Sequence, residues 1–149
     1  MDVWEGFSVA FPPDYPNMDN NLIQQDHGPP YSGSPPVAVK TEGSFIVLSV
    51  EGGEETIWRT PLEPGRWYRF VLHKVLAPDE ESGLVELWVN GVRQAFADGS
   101  FTYETYTSEQ DGTGPMSFYL ANYRGKGDAD EVSVFFDDAR IGSSLAAVL

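Results

Sequence analysis

Cysteine is absent from the 149 residues, and basic residues are scarce: nine Lys and Arg stand against 23 Asp and Glu, for a formal net charge of −14. The first absence excludes disulfides and thiolate metal sites. The second removes the clustered positive charge that nucleic acid or an anionic lipid surface requires, so neither is expected as a partner. Long apolar runs are also missing. No window approaches the ~18 residues of a membrane span, so no membrane insertion is expected, and the opening Met1-Asp2-Val3-Trp4-Glu5 does not read as a signal peptide. There is no Gly-x-Ser-x-Gly elbow, no Gly-x-x-x-x-Gly-Lys phosphate loop, and no His-x-His or three-histidine metal set.

What remains is rich in aromatics (13%) and hydrophobics (41%), enough apolar surface to offset chain entropy in one domain spanning residues 1–149. Fifteen glycines and eleven prolines interrupt the chain every few residues and leave little room for long helices. Between these breakers the period is two. Trp67, Arg69, Val71, His73 and Val75 share one face, and Tyr68, Phe70, Leu72 and Lys74 the other. Leu84–Val89 runs into Asn90-Gly91 and then Val92–Phe96, the pattern of a two-residue hairpin whose type I′ turn needs positive φ twice. Further strands are expected over Val3–Phe11, Leu22–Gln25, Val37–Thr41, Phe45–Glu51, Thr56–Arg59, Phe101–Tyr106, Met116–Tyr123 and Val132–Ile141. The one helical candidate, Ser143–Leu149, is too short to stand alone. About ten short strands predict an all-β sandwich or jelly roll of two antiparallel sheets.

Few residues carry chemistry. Gln25 and His27 fall two positions apart, and if the strand continues through His27 they share a face about 6.6–7 Å apart. An amide and an imidazole so placed can polarise a carboxylate and accept a proton; the alternative is a polar strand end followed by a loop histidine. His73, between Val71 and Val75, reads as a satisfied structural histidine. Tyr119, Ala121 and Tyr123 alternate onto one face, with the bases Arg124 and Lys126 close behind Tyr123. Nearby cations lower a phenol's pKa and suit it to proton transfer; a solvated basic turn is the alternative. Asp128, Asp130, Glu131, Asp137 and Asp138 could supply oxygens to a structural calcium, but no EF-hand pattern is present. No alternating carboxylate pair lies on a predicted strand, which argues against a retaining glycosidase.

Several stretches in order resemble one family. They are Trp4-Glu5-Gly6-Phe7-Ser8-Val9 before Phe11-Pro12-Pro13-Asp14, then Gln25-Asp26-His27-Gly28 and Pro35-Pro36. Gly65-Arg66-Trp67-Tyr68-Arg69-Phe70-Val71 and Gly83-Leu84-Val85-Glu86-Leu87-Trp88-Val89-Asn90-Gly91 follow. Tyr119-Leu120-Ala121-Asn122-Tyr123-Arg124 and Val134-Phe135-Phe136-Asp137-Asp138-Ala139-Arg140-Ile141-Gly142 close the series. Together they resemble the polysaccharide lyases with a concanavalin-A-like β-jelly roll, of the heparin-, glucuronan- and alginate-lyase type.

The resemblance implies an acidic, uronic-acid polysaccharide as partner and β-elimination as the reaction, with no cofactor required. It implies catalytic roles for Gln25, His27 and Tyr123, with Asn122, Arg124 and Lys126 binding substrate, and an extracellular or particle-surface setting. The chain departs from the alginate-lyase pattern in placing Tyr119 and Ala121 where that pattern has lysine and glycine. It also has no Arg or Lys before Lys40, where an arginine-rich strand would clamp the carboxylate. Opening strands are therefore expected to be missing, or supplied by a protein partner or a larger parent chain that completes the sheet edge. A different class of function stays open: a non-catalytic glycan-binding module, or a structural domain of a cell-surface or virus-particle assembly.

Overall fold

The alternation along Trp67–Val75 is realised in a computed structural model, which describes residues 1–28, 33–108, 116–124 and 131–149. Tyr68, Phe70, Leu72 and Lys74 are buried; on the other face Trp67 is exposed, Arg69, His73 and Val75 are partly exposed, and Val71 is buried. Eleven described strands form two antiparallel sheets. They are β1 (Asp2–Ala10), β2 (Asn21–His27), β3 (Val37–Glu42), β4 (Phe45–Val50), β5 (Glu55–Pro61), β6 (Trp67–Val75), β7 (Leu84–Val89), β8 (Val92–Arg93), β9 (Tyr103–Glu104), β10 (Ser117–Tyr123) and β11 (Phe135–Gly142). One sheet runs β11-β1-β6-β7-β8, with β9 also on β7; the other runs β10-β2-β3-β4-β5. The fold is the expected jelly-roll sandwich.

The core lies between the sheets. Phe7, Val9, Phe70, Leu72 and Leu87 from the first sheet face Ile23, Val39, Ile46, Leu48 and Ile57 from the second. Full burial of each such side chain stabilises by about 1.5–3 kcal/mol. Aromatic contacts stitch the layers together: Trp58 meets Phe70 edge-on at 6.1 Å, and the Tyr68 hydroxyl donates to the Pro61 carbonyl at 2.9 Å.

The hairpin turn forms as predicted. Asn90 and Gly91 take φ of 51° and 80°, and the Asn90 side-chain oxygen accepts from the Arg69 amide. Three expected strands are shorter. The hairpin arm Val92–Phe96 is reduced to Val92–Arg93. Phe101–Tyr106 pairs only at Tyr103–Glu104, and the last strand begins at Phe135 rather than Val132. The short tail helix α1 (Leu145–Val148) is held by packing rather than propensity. Val148 is fully buried over Gly6, where a Cβ would meet the Val148 carbonyl at 2.5 Å, and the Arg69 guanidinium donates to that carbonyl. The tail thus covers part of the six-stranded sheet's outer face and leaves the five-stranded sheet's outer face for a site.

Candidate active site

β2 sets the site's chemistry through one irregularity. Leu22 pairs with Lys40 and Gln24 with Val39, so β2 spends one residue more than β3 between these pairs. This bulge reverses the facing pattern partway along the strand. Ile23 and Gln24 both point inward and are fully buried, after which Asp26 faces in while Gln25 and His27 face out. The strand continues through His27, so Gln25 and His27 do share a face.

Cross-strand pairs carry that face across the sheet, because directly opposed residues project to the same side. One row reads Tyr123, Leu22, Lys40, Val47 and Arg59 from β10 to β5; the next reads Tyr119, Gln25, Ala38, Ser49 and Thr56. His27 stands beyond, opposite Ser117. Small residues in the second row leave a groove of about 350 Å³ floored by Leu22, Ala38 and Ser49. Tyr123 and Lys40 line it, and Asn20 and the turn at Gly52 and Gly53 close over one side.

Tyr123 is 62% exposed and lies in the groove itself. Gln25 borders it through its neighbour Ala38, and His27 is one pair further along β2. Arg124 follows Tyr123 directly and is half-buried. Asn122 faces away from Tyr123: its side-chain oxygen accepts from Asn21 at 2.9 Å, and its amide donates to the Val132 carbonyl at 2.7 Å. The first bond ties β10 to β2, and the second ties it to the segment before β11. Lys126, Asp128 and Asp130 lie outside the described residues.

Lys40 was not among the expected site residues. Its ammonium donates to Asn20 Oδ1 at 3.1 Å and to the Gly53 carbonyl at 3.5 Å, and it pairs with Glu42 at 3.1 Å. Alternation along Val37–Thr41 sets Lys40 beside Ala38 on one face, but the turn that makes the groove is distant from that strand's pattern. His73, by contrast, is structural as expected: Nδ1 lies 2.7 Å from Glu86, and the ring stacks on Trp4 at 4.2 Å, in the other sheet.

Behind β2 lies a second charged cluster, sealed between the sheets. The fully buried Lys74 ammonium contacts Asp26 and Glu5, the latter at 2.6 Å, and Gln24 donates to Glu5 at 3.3 Å. Two carboxylates and one ammonium would bury a net negative charge. Burial and the neighbouring Asp26 push Glu5 up to about 7 against the pull of Lys74, so the cluster holds a proton well above the usual carboxylate range. Asp26 Oδ1 and Gln24 Oε1 have no hydrogen-bond partner among the described residues.

Among the described residues no group of three or more His, Asp or Glu is arranged to hold a metal ion. Asp138 sits in the other sheet, bound to Arg140 at 2.8 Å. No described helix is long and apolar enough to cross a membrane.

An amide, an imidazole, a phenol and an ammonium thus share the outer face of one sheet of a concanavalin-A-like jelly-roll sandwich. The family model described as polysaccharide lyase matches residues 1–140, and the chain belongs to that polysaccharide lyase family. Solved structures agree on the fold. An endo-β-1,4-glucuronan lyase from the fungus Trichoderma reesei is 17% identical over 99% of this chain and 70% of its own, with a TM-score of 0.58. An alginate lyase from Pseudomonas aeruginosa is 16% identical over 96% and 65%, with a TM-score of 0.54. The catalytic domain of a glycoside hydrolase family 131 protein from Coprinopsis cinerea is 12% identical over 99% and 58%, with a TM-score of 0.53. The chain thus spans between 58% and 70% of the length of these three structures. A search of curated protein sequences gives no match.

Proposed function

We propose that this domain cleaves a uronic-acid polysaccharide by β-elimination in the groove on the five-stranded sheet. The observation that carries the reading is the placement of Tyr123 inside that groove, with Gln25 and His27 projecting from the adjacent strand on the same face. Glucuronan is the first substrate to try and alginate the second, after the names of the similar lyases.

In this reading the uronate lies across β10 and β2. Gln25 donates its amide to the C6 carboxylate and stabilises the charge that develops there once the C5–H bond breaks. His27 or Tyr123 takes the C5 proton. The electron pair forms the C4–C5 double bond, the C4–O4 bond breaks, and Tyr123 gives a proton to the departing O4. Arg124, next to Tyr123 in the chain, would offset part of the chain's negative charge near the sugar. No step calls for a cofactor.

The test is a screen of glucuronan, alginate and heparin, following the ultraviolet absorbance of the unsaturated uronate. Wild type is expected to raise it on at least one substrate, and Tyr123→Phe to lower the rate about 10²- to 10⁴-fold, the usual worth of a positioned acid–base group. Equal, substrate-independent baselines for both proteins would overturn the reading. They would favour the non-catalytic, glycan-binding or structural role to which the net charge of −14 points.

A further inference from the structure

We propose that Lys40 is the cation that binds the uronate carboxylate in this groove, together with Gln25, and that Glu42 occupies it in the sugar's absence; the proposal rests on the uronate reading of the site. Residues 1–39 contain no Arg or Lys. The topology puts Lys40 on the face that Gln25 shares. Gln25 is opposite Ala38, and Lys40 is two residues further along β3, so the two form a diagonal pair on the outer face. Diagonal neighbours lie about 7–8 Å apart, within reach of long side chains. An amide and an ammonium can therefore meet the two oxygens of one carboxylate.

The surroundings of Lys40 are built rather than incidental. Its side chain is 7% exposed, yet it lines the groove. Asn20 (φ 54°) accepts from its ammonium, and Glu51 (φ 54°) opens the turn whose Gly53 carbonyl does the same. Gly52 and Gly53 extend the same turn at φ of 69° and 91°. Left-handed backbone of this kind clusters where a site is held in a set shape. Here it aims Asn20 Oδ1 and the Gly53 carbonyl at the ammonium, fixing its position with neutral acceptors. Among the described residues its one charged partner is Glu42, which is 41% exposed and otherwise accepts only a long hydrogen bond from Thr56 Oγ1 at 3.4 Å. Lys40 is thus held in place by neutral groups and neutralised by an exchangeable one, which an incoming carboxylate displaces.

The experiment measures binding, by calorimetry, of a short glucuronate oligosaccharide and of its carboxyl-reduced glucan counterpart. All variants are built on Tyr123→Phe so that no cleavage intervenes, and each is checked for folding by its thermal transition. The parent is expected to prefer the uronate at least tenfold. Lys40→Met should abolish that preference, Lys40→Arg should retain most of it, and Glu42→Gln should tighten uronate binding several-fold by removing the competitor. A folded Lys40→Met protein that keeps the preference would overturn the proposal, as would a parent that does not bind the uronate. If Lys40→Met fails to fold, Glu42→Gln decides alone, and unchanged or weaker uronate binding there overturns it. Wild type that binds uronate through Lys40 but produces no unsaturated sugar would sink the lyase reading and leave this one standing.

Discussion

Two lysines in this chain meet carboxylates in opposite settings. Lys74 is sealed between the sheets with Glu5 and Asp26, whereas Lys40 lines an open groove with one partly exposed partner, Glu42. The chemistry of the two head groups is the same; solvent decides what each does. Sealed charges must be neutralised by fixed neighbours, so Lys74 serves as scaffold and holds the inward side of the strand whose outward side carries Gln25 and His27. A charge with an exchangeable partner can trade it for a ligand.

The largest effect expected from breaking this contrast is at Lys74. Lys74→Met leaves two buried carboxylates without a cation and should cost about 3–5 kcal/mol. At about 2–4 °C per kcal/mol that is a drop of about 6–20 °C in the thermal midpoint. Replacing the trio together, with Glu5→Leu, Asp26→Leu and Lys74→Met, should recover most of the loss, since apolar side chains need no partner. A single Lys74→Met variant as stable as wild type would contradict the sealed setting.

Next in size is a dependence on pH. Glu5 is raised from the ordinary carboxylate value to about 7, chiefly by burial. The fold therefore favours its neutral form, and the stability it contributes is complete below about pH 4.5 and lost as pH rises toward 7. Denaturant titrations from below pH 4.5 to above pH 7 should show a decline of about 3 kcal/mol in wild type. Glu5→Gln should flatten it; a slope of the opposite sign in wild type would contradict the account. The smallest effect is at the groove: Lys40→Met should cost no more than about 1 kcal/mol, because its ionic partner Glu42 is exposed and screened. A loss as large as that of Lys74→Met would make Lys40 another piece of scaffold.

The sequence made the sandwich legible because alternation and turn chemistry are local. The faces of Trp67–Val75 and the turn at Asn90-Gly91 follow from neighbours alone. Gln25 and His27 could be set on one face by spacing, and Tyr123 on the face of Tyr119. The bulge at Ile23 and Gln24 had no such local sign, and it is what turns Asp26 inward while its neighbours face the groove. Lys74 could be assigned to the inward face of β6, but its partners lie 69 and 48 residues away, beyond any local pattern. Lys40 stayed hidden for the same reason: its setting is made by the turn at Glu51–Gly53 and by Asn20, which only the folded sheet brings together.

The central claim, that this groove breaks uronic-acid chains by elimination, is tested most directly by the structure of the product. Glucuronan digested with the protein should give, by proton magnetic resonance, oligosaccharides with a C4–C5 double bond at the non-reducing end, and Tyr123→Phe should give essentially none. Saturated ends produced by hydrolysis, or an undigested polymer with both proteins, would contradict it.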